Sequence, residues 1–349
     1  MRGARSSSPR GSGAAVKRFD AAWSRRARRL GVVVPWLVGL LAAAASLVAT
    51  AAVAKTPGSN GRIVFFRHNA DDRGKTTLDT INPDGTGLRF VFAGAEHPRW
   101  SPDGTQVAAD CDNCGEALIV NADTGRARVL PPADPTLNLD CPMAWSPDGT
   151  RLACESLDNA DPARDGIYTV RSSDGAGLRR VTWFGGVPGD FSPEGARLSF
   201  IGADADGNLR VYVVTLADGA VTALTPPGLA VPDDNVASWS PNGEWILFNA
   251  RPTADSRRAI WAVRPDGSGL RQLPIRDCGG EVADPRSVGC GWPVWSPDGT
   301  KLAFIRISAT THQKNLYTVR PDGSDLFEVT HTGPQEMAPD WGSHPLDRP

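Results

Sequence analysis

Trp100-Ser-Pro-Asp-Gly104, Trp145-Ser-Pro-Asp-Gly149, Phe191-Ser-Pro-Glu-Gly195, Trp239-Ser-Pro-Asn-Gly243 and Trp295-Ser-Pro-Asp-Gly299 are copies of one phrase. A degenerate sixth copy stands at Pro339-Asp-Trp341-Gly342. The anchors lie 45, 46, 48, 56 and 46 residues apart, the period of a four-stranded propeller blade. Within each phrase, Pro presets φ near −65° and the Asp-Gly pair turns the chain, which predicts a tight hairpin. Apolar runs follow it, as in Arg151-Leu-Ala-Cys154 and Lys301-Leu-Ala-Phe-Ile305. A second hairpin recurs downstream, tipped by Gly85, Gly125, Gly175, Gly219, Gly267 and Gly323.

Two hairpins make one antiparallel four-stranded blade, so the expected fold is an all-β, six-bladed β-propeller. The copy at Trp341 has no strand after it, whereas Gly61-Arg-Ile-Val-Phe-Phe66 reads as a second strand without a first. The N-terminal segment is therefore expected to complete the blade that the C-terminus begins. Such closure hides the edges of an open array.

These phrases resemble the TolB-type propeller repeat, a relative of WD-repeat propellers, over nearly all of residues 61–342. The resemblance implies the propeller fold and a habit of protein–protein interaction in the cell envelope. TolB also carries an α/β domain ahead of its propeller, where this chain has only Lys55 to Asn60. The resemblance therefore names no partner.

The first 54 residues differ in composition from the rest. They hold nine Arg or Lys residues against one acid, Asp20, and then an uncharged run from Leu30 to Ala54. A basic region, an apolar region and Ala52-Val-Ala54 predict a signal peptide over 1–54, cut between Ala54 and Lys55. Residues 55–60 are then a short linker and 61–349 the propeller. An uncleaved anchor over 30–54 is the alternative, and it is the expected route to a membrane. Ser24-Arg25-Arg26 leaves the Sec and twin-arginine routes both open.

Either way the propeller is expected outside the cytoplasm, as a monomer. Subtracting those nine cations and one acid from 37 and 39 leaves 28 and 38, a net charge of −10. That balance argues against nucleic acid as a partner. All six cysteines follow the expected cut, and an even count in an oxidising compartment suggests disulfides. Cys278 and Cys290 share the longest inter-blade link. Cys141 and Cys154 fall on facing arms of one hairpin, which leaves Cys111 and Cys114 as a local pair. Joining Cys111 or Cys114 to Cys141 is the alternative.

Both sets of turns must lie on one face, because adjacent strands are antiparallel. Recognition is expected on the opposite face, where Asn159 to Asp165, Leu130 to Pro135 and Pro274 to Trp292 lengthen the connections. No Gly-x-Ser-x-Gly, Walker or His-Glu-x-x-His motif occurs, so neither catalytic residues nor a cofactor are assigned. Asp204-Ala-Asp206-Gly207-Asn208 lacks the acidic partner of a calcium loop and reads as a turn.

The expected function is a non-enzymatic scaffold that binds a cell-envelope protein or peptide at the channel mouth. A polysaccharide-acting lyase or hydrolase at the same mouth is the alternative, which clustering of His68, His97 and His312 around a metal would favour. A membrane-tethered sensor is the third reading.

Overall fold

The computed structural model describes residues 58–69, 75–112, 116–157, 161–233, 236–253, 256–280, 289–308, 311–331 and 335–346. The expected signal, its cut at Ala54/Lys55 and the 30–54 segment lie outside the described residues. Among the described residues, no helix is long and apolar enough to cross a membrane.

Twenty-four strands form six antiparallel four-stranded sheets among the described residues. The first three are β1 (Ile63–Asn69), β2 (Lys75–Ile81) and β3 (Arg89–Ala93). The second blade is β4 (Ala95–Trp100), β5 (Gln106–Cys111), β6 (Ala117–Asn121) and β7 (Ala127–Leu130). The third is β8 (Leu139–Trp145), β9 (Arg151–Ser156), β10 (Gly166–Arg171) and β11 (Arg179–Arg180). β12 (Val187–Phe191), β13 (Arg197–Ala203), β14 (Leu209–Thr215) and β15 (Val221–Ala223) make the fourth. The fifth has β16 (Ser238–Trp239), β17 (Ile246–Ala250), β18 (Ala259–Val263) and β19 (Arg271–Gln272). The sixth has β20 (Gly289–Trp295), β21 (Leu302–Ile307), β22 (Lys314–Val319) and β23 (Phe327–Glu328). The final strand, β24 (Gln335–Trp341), pairs antiparallel with β1, setting Ile63 against Trp341 and Val64 against Asp340. The ring thus closes as its repeat register requires, with three strands from one end and one from the other.

The phrase builds its turn from its own side chains. Ser101 Oγ donates to Asp103 at 2.6 Å, Thr105 N donates to the same carboxylate, and Gln106 N donates back to Ser101 Oγ. The third and sixth blades repeat this around Asp148 and Asp298. Gly149 completes its turn at φ +69°, where a side chain would be strained. The two kinds of turn lie together: Ala122 N donates to Thr105 O, and Ser172 Oγ to Gly149 O.

The phrase's Trp packs between blades. Trp239 sits among Ile201 and Val213 of the fourth blade and Ile246 and Phe248 of the fifth. Trp145 bridges the second and third blades in the same way, its Nε1 donating to Arg99 O at 3.1 Å. These aromatics are core, and the repeat marks the scaffold.

Disulfides join Cys141 to Cys154 (Cα–Cα 4.6 Å) and Cys278 to Cys290 (5.4 Å). Cys111 is also disulfide-bonded. Cys114, its expected partner, lies outside the described residues.

Candidate functional site at the channel mouth

The first strand of each blade lines the axis, since β4, β8, β12, β16, β20 and β24 neighbour one another in turn. Each runs from the variable face down to its Trp, or to Phe191 in the fourth blade. Three of them carry the same irregularity. His97, Trp292 and Ala338 each stand three residues before the Trp and immediately before a proline, at φ +47°, +50° and +44°. Pairing slips there, between Glu96 and Arg99 and between Gly291 and Val294. A β-bulge re-aims side chains, and a left-handed non-glycine residue is a local cost tolerated at functional positions.

His97 and Trp292 consequently line a cavity of about 490 Å³ together with Glu96, Asp110, Asp140 and Asp233. Val187, Pro188 and Val236 add apolar wall. The cavity draws on residues of four blades and of the link into the fifth, so it is the mouth of the axial channel. The face expected to carry recognition holds it, and its rim is acidic.

Two neighbouring blades each set a pair of carboxylates opposite one another, Glu96 against Asp110 and Asp140 against Glu155. Like charges at paired positions destabilise a sheet. Burial drives the Asp110 carboxyl up to about 6. The charge of Asp140 adds to the rise, while the 3.0 Å contact with His97 Nδ1 opposes it. Burial first, and then Asp140, lifts Glu155 to about 7 against a hydrogen bond from Gly186 N. Burial raises Asp140 as well. Such strongly shifted groups in a cleft mark a functional-site candidate.

The shift on Glu155 has a measurable consequence. Its native pKa lies above its ordinary 4.5, so the unfolded chain ionises it more readily and ionisation disfavours the fold. Stability attached to this group is complete below pH 4.5 and is lost as pH rises through about 7. After discounting for solvent screening, Glu155→Gln should exceed the parent in stability by about 2 kcal/mol near pH 8. The two should coincide near pH 4, as measured by urea denaturation. A difference independent of pH would contradict the assignment.

The remaining sites expected from sequence are dispersed. His68 stands in β1 in register with Thr76, and His312 lies in the turn that its N–H closes onto Ser308 O. Only His97 of the three is among the described residues lining the mouth. Among the described residues, no group of three or more His, Cys, Asp or Glu side chains is arranged to hold a metal ion. Asp204 is engaged by its own turn, accepting from the N–H groups of Asp206 and Asn208.

The acidic cluster was not singled out from sequence. Its signal is an acid closing an apolar run, Val107-Ala-Ala-Asp110 and Leu152-Ala-Cys-Glu155, in successive blades. The connection after β9 and the link into the fourth blade, both on the variable face, expose apolar side chains. Trp183 is 80% exposed and Leu157 50%, and Leu157 packs against Gly185, two residues before the cavity-lining Val187. Arg180 stacks on the Trp183 ring at 4.3 Å.

The family model described as TolB beta propeller domain matches residues 90–288. An uncharacterized protein of Agrobacterium fabrum is 27% identical over 69% of this chain and 78% of its own length. A TolB homolog of Chlorobium luteolum is 29% identical over 33% of this chain, a match spanning 22% of that protein. Among solved structures, a putative TolB from Agrobacterium tumefaciens superposes with a TM-score of 0.60 at 21% identity, covering 83% of this chain and 94% of that one. TolB from Acinetobacter baumannii gives 0.64 at 20% identity, over 81% of this chain and 66% of its own. An oligogalacturonate lyase in complex with manganese gives 0.51 at 13% identity, over 79% and 82%. At these identities the superpositions speak for the fold, which enzymes and non-enzymes share.

Proposed function

The chain belongs to the TolB beta-propeller family, and from that premise we propose that it is an exported, non-enzymatic scaffold. Its partner is a cell-envelope protein, or a peptide from one, bound at the channel mouth. The observation that carries this reading is the pairing of an acidic cavity with an exposed apolar shelf on the variable face. An aromatic held in solvent and a cluster of carboxylates together suit a segment with basic and apolar side chains. Aromatic residues of this kind commonly supply binding hot spots, and complementary charge raises the association rate. Disulfide bonding in the described residues supports an extracytoplasmic address, and residues 1–54 supply the export signal in this reading. The enzyme alternative rests on three histidines that the described geometry places on separate elements.

The immobilised propeller should capture a protein from envelope extracts. Asp140→Asn with Trp183→Ala should weaken capture at least about tenfold, the loss of one well-placed contact. Arg126→Ala, on an outer turn of the opposite face, should leave capture intact. Equal capture by both variants would refute the assignment of the face.

A further inference from the structure

A second cavity, of about 380 Å³, opens off the axis on the variable side of the sixth blade. Its walls include Arg257, Asp277, Arg306, Asn315, Tyr317 and Glu328. Asp277 and Gly289 adjoin the bonded Cys278 and Cys290, so the disulfide staples one wall in place.

A polar chain runs along this cavity. Arg306 stacks on the Tyr317 ring at 4.1 Å and donates from Nη2 to its hydroxyl at 3.0 Å. The Tyr317 hydroxyl also hydrogen-bonds Glu328, whose Oε1 accepts from Asn315 Nδ2 at 2.6 Å. The chain is incomplete at both ends. Among the described residues, Arg306 Nη1 is buried without a hydrogen-bond partner, its approach to Asp277 being 3.7 Å, and Asn315 Oδ1 is buried and unpartnered too. Arg257 Nε, on a neighbouring connection, is a third such atom. Buried polar atoms without partners are uncommon and each demands an explanation. The residues that carry these two cationic donors and one acceptor all line the same space.

We infer that this cavity is a binding site for an α-amino-acid group, either a free amino acid or the C-terminal residue of a peptide. Its carboxylate would accept from Arg257 Nε and Arg306 Nη1, and its nitrogen would donate to Asn315 Oδ1. The two guanidinium groups and two carboxylates of the wall balance one another, so a free amino acid enters as a zwitterion without leaving net charge buried, whereas the C-terminal residue of a peptide brings its carboxylate charge alone. A carboxylate with no donor beside it leaves Asn315 Oδ1 unsatisfied.

Calorimetric titration of the full chain with L-alanine, N-acetyl-L-alanine and acetate at millimolar concentration tests this. L-Alanine, N-acetyl-L-alanine or both should bind saturably, and which of them does so separates the two sources. Acetate should bind at least about tenfold more weakly. Arg257→Leu, at a half-buried position on the connection between β17 and β18, should cut that affinity at least about tenfold with cooperative melting retained. Arg306→Lys, which keeps the charge but loses the planar fork, should do likewise if it folds. No saturable binding of either alanine probe, acetate binding equally well, or unchanged affinity in Arg257→Leu would each overturn the proposal.

Discussion

Deletion of residues 61–67 should abolish cooperative folding. The segment carries most of β1, the strand between β24 and β2, so its loss strands β24 and opens the ring. Ile63, Val64, Phe65 and Phe66 are each no more than 3% exposed. At about 1.5–3 kcal/mol for each buried side chain, their loss removes roughly 6–12 kcal/mol. That is the size of a domain's entire stability, about 5–15 kcal/mol. Arg62 goes with them, a buried guanidinium that donates to Thr80 Oγ1, Asn82 Oδ1 and Thr80 O. Thermal melting followed by near-ultraviolet circular dichroism should show no sigmoidal transition. A cooperative melt in the truncated chain would mean that the ring closes in another register.

Trp341→Ala should destabilise by about 3–5 kcal/mol without changing the fold. The indole is 1% exposed and packs with Ile63, Phe65 and Ile81 of the closing blade and Ile305 and Leu316 of the sixth. Its Nε1 donates to Gly61 O at 2.9 Å, so truncation leaves both a cavity and an unpaired carbonyl. Neighbouring contacts tie the same seam. Asp340 accepts from Trp100 N at 2.8 Å, and the His344 ring stacks on Trp100 while its Nδ1 contacts Gly104 O. Urea denaturation should give a lower midpoint with an unchanged slope. A loss below about 1 kcal/mol would show that the seam is held elsewhere.

The scaffold was readable because each blade repeats local rules. Pro-Asp-Gly fixes a turn, the turn fixes the register, and the orphan strand at Gly61 to Phe66 could only complete the orphan phrase at Trp341. The tie from His344 was not legible, since it depends on where the tail lies after the ring has closed. The mouth was legible only as a face. Which acids meet there depends on the slips in pairing before Trp100 and Trp145, and a left-handed His97 or Trp292 breaks the expectation that a residue before proline is extended. The sixth-blade cavity leaves no periodic trace, because Arg257 comes from a connection of the fifth blade while Arg306 and Asn315 are paired across β21 and β22 of the sixth.

The central claim is that a partner docks on the variable face beside the acidic mouth. A photo-crosslinking residue in place of exposed Leu157 reports on that face, and one in place of exposed Asp148 reports on the turn face. In envelope extracts the substitution at 157 should yield a discrete crosslinked species that Asp140→Asn diminishes, and the one at 148 should yield none. A species formed from 148 alone would place recognition on the repeated turns and contradict the account.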